Sequence, residues 1–303
     1  MRILLTGSTG QVGWELYRSL LPLGEIFAVS RDRFDMTHPE SLRSVVQELY
    51  PDVIVNAAAY TMVDKAEDEE ELATIINGVA PGVLAEEAER SKALLIHYST
   101  DYVFDGEKST PYTEDDITNP LNAYGRSKLQ GETAIQSTGC NYLILRTSWV
   151  YSARRENFIK TMLRLFKERE ELNVVTDQIG SPTWARLIAD TTAQILMQII
   201  HARKDNAYES GTCHITASGK TSWYEFASEI LKQTTQLNPD RYNKVAVINP
   251  IASTDYPQVA TRPAYSCMST EKLTGRFAMQ LPDWKQCLHL CLNEIFEIEQ
   301  ARQ

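Results

Sequence analysis

The first thirteen residues narrow the fold more than any other stretch of the chain. Residues 3–6 form a short apolar run, and Gly7-Ser8-Thr9-Gly10-Gln11-Val12-Gly13 follows it directly. Val12, Leu16, Leu20 and Leu23 then recur at helical spacing, one apolar stripe on an amphipathic helix. A buried strand, a glycine turn and a helix in that order make a seat for a pyrophosphate. The glycines let the backbone turn tightly and approach the phosphates, and the helix N-terminus attracts their charge. The spacing is G-x-x-G-x-x-G, not the commoner G-x-G-x-x-G, and such a turn also serves simply to close a strand onto a helix.

The alternation continues. Strands are expected at residues 26–29, 52–56, 94–98 and 142–146. Helices are expected at 12–21, at 42–49, at 71–91 with Pro81 as a kink, and from Tyr124. Short apolar runs between helices predict a parallel sheet covered on both faces. Right-handed crossovers make it a doubly wound α/β fold. From Asn157 the pattern loosens, with helices expected at 158–169, 184–201, 221–233 and 283–299. Short strands are expected at 173–175, 213–216 and 244–247, and residues 249–263, with three prolines, read as a loop. The expected organisation is a dinucleotide-binding domain over residues 1–150 and, over 151–303, mainly a smaller substrate-binding lobe interleaved with it.

Tyr124-Gly125-Arg126-Ser127-Lys128 places a tyrosine and a lysine four residues apart, on one helix face. A phenol with a pKa near 10 is a poor acid or base at neutrality. A nearby ammonium lowers that value, so the pair is suited to moving a proton to or from a carbonyl oxygen. With 14 tyrosines in the chain, the spacing alone arises readily by chance. Joined to a dinucleotide seat that can carry hydride, it points to a nicotinamide-dependent carbonyl reductase.

Charge and cysteine content exclude other classes. The net charge of −10 is the wrong sign for general binding to nucleic acid or an anionic membrane. An anionic substrate would need local arginines. No apolar stretch approaches the roughly 20 residues of a membrane span, and the N-terminal run is too short for a signal peptide. Five cysteines, an odd number without a C-x-x-C, suit reduced thiols in a cytoplasmic protein.

The second expected strand ends in Val29-Ser30-Arg31-Asp32-Arg33. An NAD site would place an acid first, for the ribose hydroxyls. Ser30 and Arg31 favour a 2′-phosphate and hence NADPH, while Asp32 keeps NADH open. Asp35 either accepts from an adenine amino group or caps the helix beginning near Pro39. Asn56-Ala57-Ala58-Ala59 offers small residues on which a nicotinamide ribose can lie, or plain sheet packing. For a diphosphate, the forked guanidinium of Arg262 is a candidate, as are those of Arg154 and Arg155.

Order lends these signals specificity. The glycine turn, Asn56-Ala57-Ala58, Ser99-Thr100, then Tyr124 and Lys128 follow one another as in the short-chain dehydrogenase/reductase superfamily, whose extended, nucleotide-sugar branch this chain resembles. In that resemblance Ser99 or Thr100 hydrogen-bonds a substrate carbonyl, Tyr124 protonates the developing alkoxide, and Lys128 holds the nicotinamide ribose. Donors so placed stabilise charge as it forms. His97-Tyr98-Ser99-Thr100-Asp101-Tyr102-Val103-Phe104-Asp105-Gly106 is more closely similar to the dTDP-4-dehydrorhamnose reductase family. So are Val55-Asn56-Ala57-Ala58-Ala59-Tyr60-Thr61, Val63-Asp64-Lys65-Ala66-Glu67 and Arg146-Thr147-Ser148-Trp149-Val150-Tyr151. Related 4,6-dehydratases carry Thr-Asp-Glu after the fourth strand; here Tyr102 stands in place of the extra acid.

The resemblance implies a Rossmann-like fold and reduction of dTDP-4-dehydro-L-rhamnose by NAD(P)H, with Tyr124 as proton donor and Lys128 as its partner. It implies that Thr100 and Asp101 contact the sugar and that Trp149 packs on it. It puts Gly10, Gln11, Val12, Asp35, Met36, Ala59, Tyr60, Thr61 and Tyr98 along the cofactor, with Gly7 in the turn. Read from the residues alone, Trp149 is either a flat platform at the end of the fifth strand or a core tryptophan. A reductase of another 4-keto nucleotide sugar stays open, as does a non-catalytic NADP-binding module like the regulatory subunit of methionine adenosyltransferase. Family members can hold Mg²⁺ with three glutamates at a dimer interface. Glu15 and Glu294 match two of them, but Arg186 stands in the place of the other. An arginine there repels a cation and suits a salt bridge with Glu15 or Glu294, so no metal is expected and a homodimer is left open. Cys287 and Cys291 share a helix face from which His289 points away, which suits packed thiols.

Overall fold

The structure is a computed structural model that describes residues 1–31, 33–239, 242 and 244–301. The first half runs β1 (Arg2–Thr6), α1 (Gln11–Leu20), β2 (Glu25–Ala28), α2 (Pro39–Leu49), β3 (Val53–Asn56), α3 (Lys65–Asp68), α4 (Glu70–Thr74), α5 (Ala80–Ser91), β4 (Leu94–Thr100), α6 (Ala123–Gln136) and β5 (Asn141–Thr147). The second runs β6 (Val150–Tyr151), α7 (Phe158–Glu168), β7 (Glu171–Val175), β8 (Ile179–Gly180), β9 (Thr183–Trp184), α8 (Ala185–Lys204), β10 (Gly211–His214), β11 (Thr221–Ser222), α9 (Trp223–Leu237), β12 (Val247–Ile251), α10 (Glu271–Phe277) and α11 (Trp284–Gln300).

Six strands form one parallel sheet in the order β10-β5-β4-β3-β1-β2. Its strands are apolar throughout because both faces are covered. Leu4, Ile54, Leu95 and Ile144 meet α2 and α5 on one face. Ile3, Leu5, Val53, Val55, Leu94, Ile96, Leu143 and Leu145 meet α1 and α8 on the other. The main sheet thus draws β10 and α8 from the second half of the chain. After β2 the chain crosses β1 to lay down β3. The order reverses there, and the crevice beyond the carboxyl ends of β1 and β3 is the place for a ligand. A separate core of aromatic and aliphatic side chains, Phe166, Phe226, Trp284 and Leu288 among them, joins α7, α9 and α11.

Two local expectations change. Residues 249–263 were expected as loop after a strand at 244–247, yet the strand is Val247–Ile251 and contains Pro250. Among the described residues it pairs with β7 alone, and a proline's missing N–H costs little on an edge strand. The kink expected at Pro81 is a π-helical turn, Ile75–Val79, between α4 and α5. Pro81 has no N–H for the Asn77 carbonyl, and the ladder widens there. That carbonyl lies against α6, where a Cβ on Gly131 would sit 2.1 Å from it. All five cysteines are free and buried. Among the described residues no helix is long and apolar enough to cross a membrane.

Gly131→Ala should therefore lower stability by about 1–3 kcal/mol through overpacking. Gly275→Ala, in α10 with nothing within 4 Å of the added carbon, should be neutral or stabilising. Urea unfolding of both variants, read as midpoint shifts at constant slope, checks the contrast.

Candidate active site

The glycine turn has the geometry a phosphate seat requires. Gly7 has φ +66°, and a Cβ there would meet the Ala57–Ala58 backbone at 2.6 Å, so the turn lies directly on the end of β3. Gly10 precedes α1 in extended conformation with no side-chain cap, leaving the helix N–H groups to a ligand. Gln11 is held in place: its Oε1 accepts from Ser152 Oγ (3.0 Å) and Asn157 Nδ2 (2.9 Å). Val12 packs at the edge of the sheet core. Arg155 Nε donates to the Thr9 carbonyl at 2.7 Å, and Arg154 stacks on Trp14, which puts Arg155 against the glycine turn and Arg154 against α1.

Ser30 and Arg31 are exposed beyond β2; Asp32 lies outside the described residues. Asp35 caps no helix. It accepts from the Thr37 backbone N–H at 2.9 Å, which draws its carboxyl below the ordinary value, and His38 precedes α2 instead. Met36 is buried. Ala59 and Thr61 are exposed, with Tyr60 anchored between them. Tyr60 Oη donates to Glu69 at 2.6 Å, and burial, with that carboxylate, pushes the phenol up to about 12.

Thr100, Asp101, Tyr124 and Lys128 come together where β4 meets α6. Asn122 starts that helix by accepting from the Gly125 N–H at 2.8 Å. Its Nδ2 also holds the Thr261 carbonyl at 2.8 Å, tying the segment after β12 to the helix that bears Tyr124. Burial pushes Tyr124 up to about 12, a hydrogen bond with Thr100 opposes this, and Asp101 adds to it. Burial likewise lifts Asp101 to about 7, against hydrogen bonds from Ser266 and Thr100. Thr100 Oγ1 lies 3.1 Å from Asp101 Oδ1. Ser99 Oγ is buried with no hydrogen-bond partner among the described residues.

Here the structure corrects the electrostatic expectation. Lys128 does share a helix face with Tyr124, but burial outweighs it at the phenol, and its ammonium points to β4. Lys128 is 2% exposed, and its Nζ turns to the Tyr98 carbonyl at 2.6 Å and His97 Nε2 at 3.3 Å. Burial brings Lys128 down to about 8, with Glu132 opposing. Burial thus keeps the Tyr124 phenol protonated at neutrality. Tyr98 contributes its carbonyl here; its ring points to the opposite face, where Oη meets Thr192 Oγ1 at 2.8 Å.

Trp149 has φ +46°, rare for a bulky residue and a mark of a constrained site. Its ring stacks on Trp223 at 3.5 Å between centroids and covers Gly180. Arg262 forms a fork with Asp64, at 2.8 and 2.9 Å. Tyr102 lies edge-on to Tyr124 at 5.9 Å. Arg186 bridges Glu15 Oε2 (3.1 Å) and Glu294 Oε1 (3.0 Å), the salt bridge expected from its position in the chain. Cys287 and Cys291 are buried in α11 and His289 is exposed.

Sequence reasoning missed Asn77. The π turn aims this buried amide at the Tyr60 N–H (2.8 Å), the Tyr60 carbonyl (3.0 Å) and Ser127 Oγ (3.0 Å). It holds the cofactor-side loop against α6. An asparagine inside an expected helix, four residues before a proline, was the available signal.

The RmlD substrate binding domain family matches residues 1–296, and the chain belongs to it. It is 50% identical over 295 residues to a dTDP-4-dehydrorhamnose reductase of Burkholderia thailandensis, covering 97% of this chain and 99% of that protein. A dTDP-4-dehydrorhamnose reductase structure from Clostridium acetobutylicum superposes with a TM-score of 0.87 at 35% identity, covering 97% and 99% of the two chains. That of the Bacillus anthracis reductase in complex with NADP gives 0.86 at 35% identity, with the same coverage.

Arg186→Met tests the bridge. Burial holds the Glu294 carboxyl above its ordinary value and Arg186 opposes that; without the guanidinium it should rise further. A carboxyl raised in the folded state binds its proton more tightly there than in the unfolded chain, so stability falls as pH rises. The variant's melting temperature should therefore fall more than that of the parent as pH rises above the ordinary carboxylate value of about 4. Equal pH slopes in thermal melts would refute the bridge.

Proposed function

We propose that this chain reduces the 4-keto group of dTDP-4-dehydro-L-rhamnose to dTDP-L-rhamnose. The observation that carries the reading is the meeting of Thr100, Tyr124 and Lys128 at the carboxyl edge of the sheet, beside a phosphate seat, in a chain similar from end to end to reductases of that name. NADPH, when bound, supplies the hydride to the sugar carbon. The residues suited to hold it are Gly7, Gly10, Gln11 and Val12 at the pyrophosphate and Ser30, Arg31, Asp35 and Met36 at the adenosine. Ala59, Tyr60, Thr61, Tyr98 and Lys128 would line its nicotinamide half. The uncapped α1 terminus and the close approach of the Gly7 turn to the end of β3 support that fit. NADH remains an admissible donor.

Tyr124 gives its proton to the oxygen as the keto group becomes an alcohol. A phenol held near 12 keeps that proton until an alkoxide develops. Thr100 donates to the same oxygen, and Lys128 supplies positive charge as Tyr124 becomes a phenolate. Asp101 and the half-buried face of Trp149 orient the sugar. Arg262 serves the diphosphate, exchanging one anionic partner, Asp64, for another. In this reading residues 1–150 carry the cofactor and 151–303 mainly the sugar nucleotide, with Asn122 joining the two. Buried free thiols suit a reducing compartment, so the cytoplasm is the proposed location.

Following NADPH oxidation with dTDP-4-dehydro-L-rhamnose tests the reading. Tyr124→Phe should lower kcat by about 10²–10⁴-fold with NADPH binding retained. Turnover that survives in this variant would exclude Tyr124 as the acid. NADPH binding without turnover by the unmodified protein would point to another keto sugar or a regulatory role. Arg262→Met should raise KM for the sugar nucleotide about tenfold or more, as loss of a charged hydrogen bond does, and KM for NADPH far less. Equal effects would count against the diphosphate role.

A further inference from the structure

One row of the central sheet is polar where its neighbours are apolar. Leu4, Ile54 and Leu95 stand side by side across β1, β3 and β4. Two residues on, facing the same side, stand Thr6, Asn56 and His97, none more than 1% exposed. Buried polar groups are costly unless bonded, and these form a continuous chain. The Ala58 N–H meets Thr6 Oγ1 at 3.2 Å, Thr6 Oγ1 meets Asn56 Oδ1 at 2.7 Å, and the Asn56 amide meets His97 Nδ1 at 3.0 Å. His97 Nε2 then meets Lys128 Nζ at 3.3 Å. The chain runs from the glycine turn to the catalytic lysine, beneath the proposed cofactor seat.

Its protons can be arranged in two complementary ways. A neutral imidazole has one N–H, and an amide fits with either end forward. If Lys128 is an ammonium, it donates to Nε2. The Nδ1–H then donates to the Asn56 oxygen, and the Asn56 NH₂ to Thr6. If Lys128 is an amine, it accepts from Nε2–H. Nδ1 then accepts from the Asn56 NH₂, and the Thr6 hydroxyl donates to Asn56 Oδ1. An ammonium has no lone pair to accept with, so the second arrangement opens only when Lys128 loses a proton. Between the two arrangements the net change is one proton released to water.

We propose that the Thr6–Asn56–His97 chain sets the proton affinity of Lys128 and changes its hydrogen-bond direction with that proton, so that His97 is a positioning residue for the reaction. The proposal rests on the reading of Lys128 as the working cation. His97 stays neutral because burial and the neighbouring Lys128 hold it well below the ordinary histidine value. The other groups around Lys128 are Tyr124 and Glu132 on its own helix, Asp101 after β4, and Arg146 of β5. Arg146 holds Glu132 in a fork at 2.9 and 2.6 Å. None of these places an acceptor on Nζ as His97 does.

Two measurements decide it. The kcat–pH profile should lose activity on the alkaline side near Lys128's value of about 8. In His97→Leu, which removes the acceptor, that limb should move down by about one pH unit, a tenfold loss of proton affinity. His97→Gln, whose carbonyl can accept in place of Nε2, should recover most of it. A uniform loss of activity with the limb unmoved would overturn the proposal. The second measurement needs neither a variant nor turnover: ¹⁵N spectra of histidine-labelled native protein. His97 should be the Nδ1–H tautomer below the limb and the Nε2–H tautomer above it; a single tautomer throughout would overturn the proposal. Failure of the sugar to react would refute the proposed function and leave this spectroscopic result standing.

Discussion

Backbone lying on backbone at two glycines holds the site together. Gly7 brings the turn after β1 onto the end of β3, and Gly131 brings α6 onto the π turn at Asn77. Neither contact leaves room for a Cβ. The first makes one crevice of the phosphate seat and the Ala57–Ala58 loop. The second sets the depth at which α6 carries Tyr124 and Lys128 toward β4. Asn77 links the two, since its amide grips Tyr60 on one side and Ser127 on the other.

Within that frame, burial governs the chemistry. Desolvation moves Tyr124 and Asp101 upward and Lys128 downward, so each resists becoming charged. Such surroundings keep the phenol and the carboxyl protonated further up the pH scale than water would. Farther out, charge is balanced by geometry. Arg262 rests on Asp64, Arg186 spans Glu15 and Glu294, and Arg146 locks onto Glu132. These forks join different elements: the loop before α3 to the second lobe, α1 to α8 and α11, and α6 to β5.

Much of this was legible in the chain. Apolar runs of strand length between helical stripes specified a parallel sheet, because only a sheet buried on both faces needs them. The glycine turn marked the sheet edge at which such folds open a crevice. Arg186, in place of a glutamate, foretold its bridge, since two carboxylates and one guanidinium have few other stable arrangements. Features that depend on what lies alongside were not legible. Pro250 reads as a breaker until β12 is seen to be an edge strand. Pro81 reads as a kink until Gly131 is found against the widened turn. Nothing in the spacing shows that the Tyr98 ring goes to Thr192 while its carbonyl goes to Lys128.

The sequence by itself determined which groups the protein owns and the order in which the fold delivers them. Spacing along a helix or strand is a local property, and Tyr124 and Lys128 share a face wherever that helix lies. Only the tertiary structure decided what those groups do to one another. Direction, burial and partner depend on atoms distant in sequence. Lys128 answers to a carbonyl and an imidazole on β4 rather than to the phenol one turn away. The Tyr124 proton is held by the loss of water around it, which no spacing along the chain can specify.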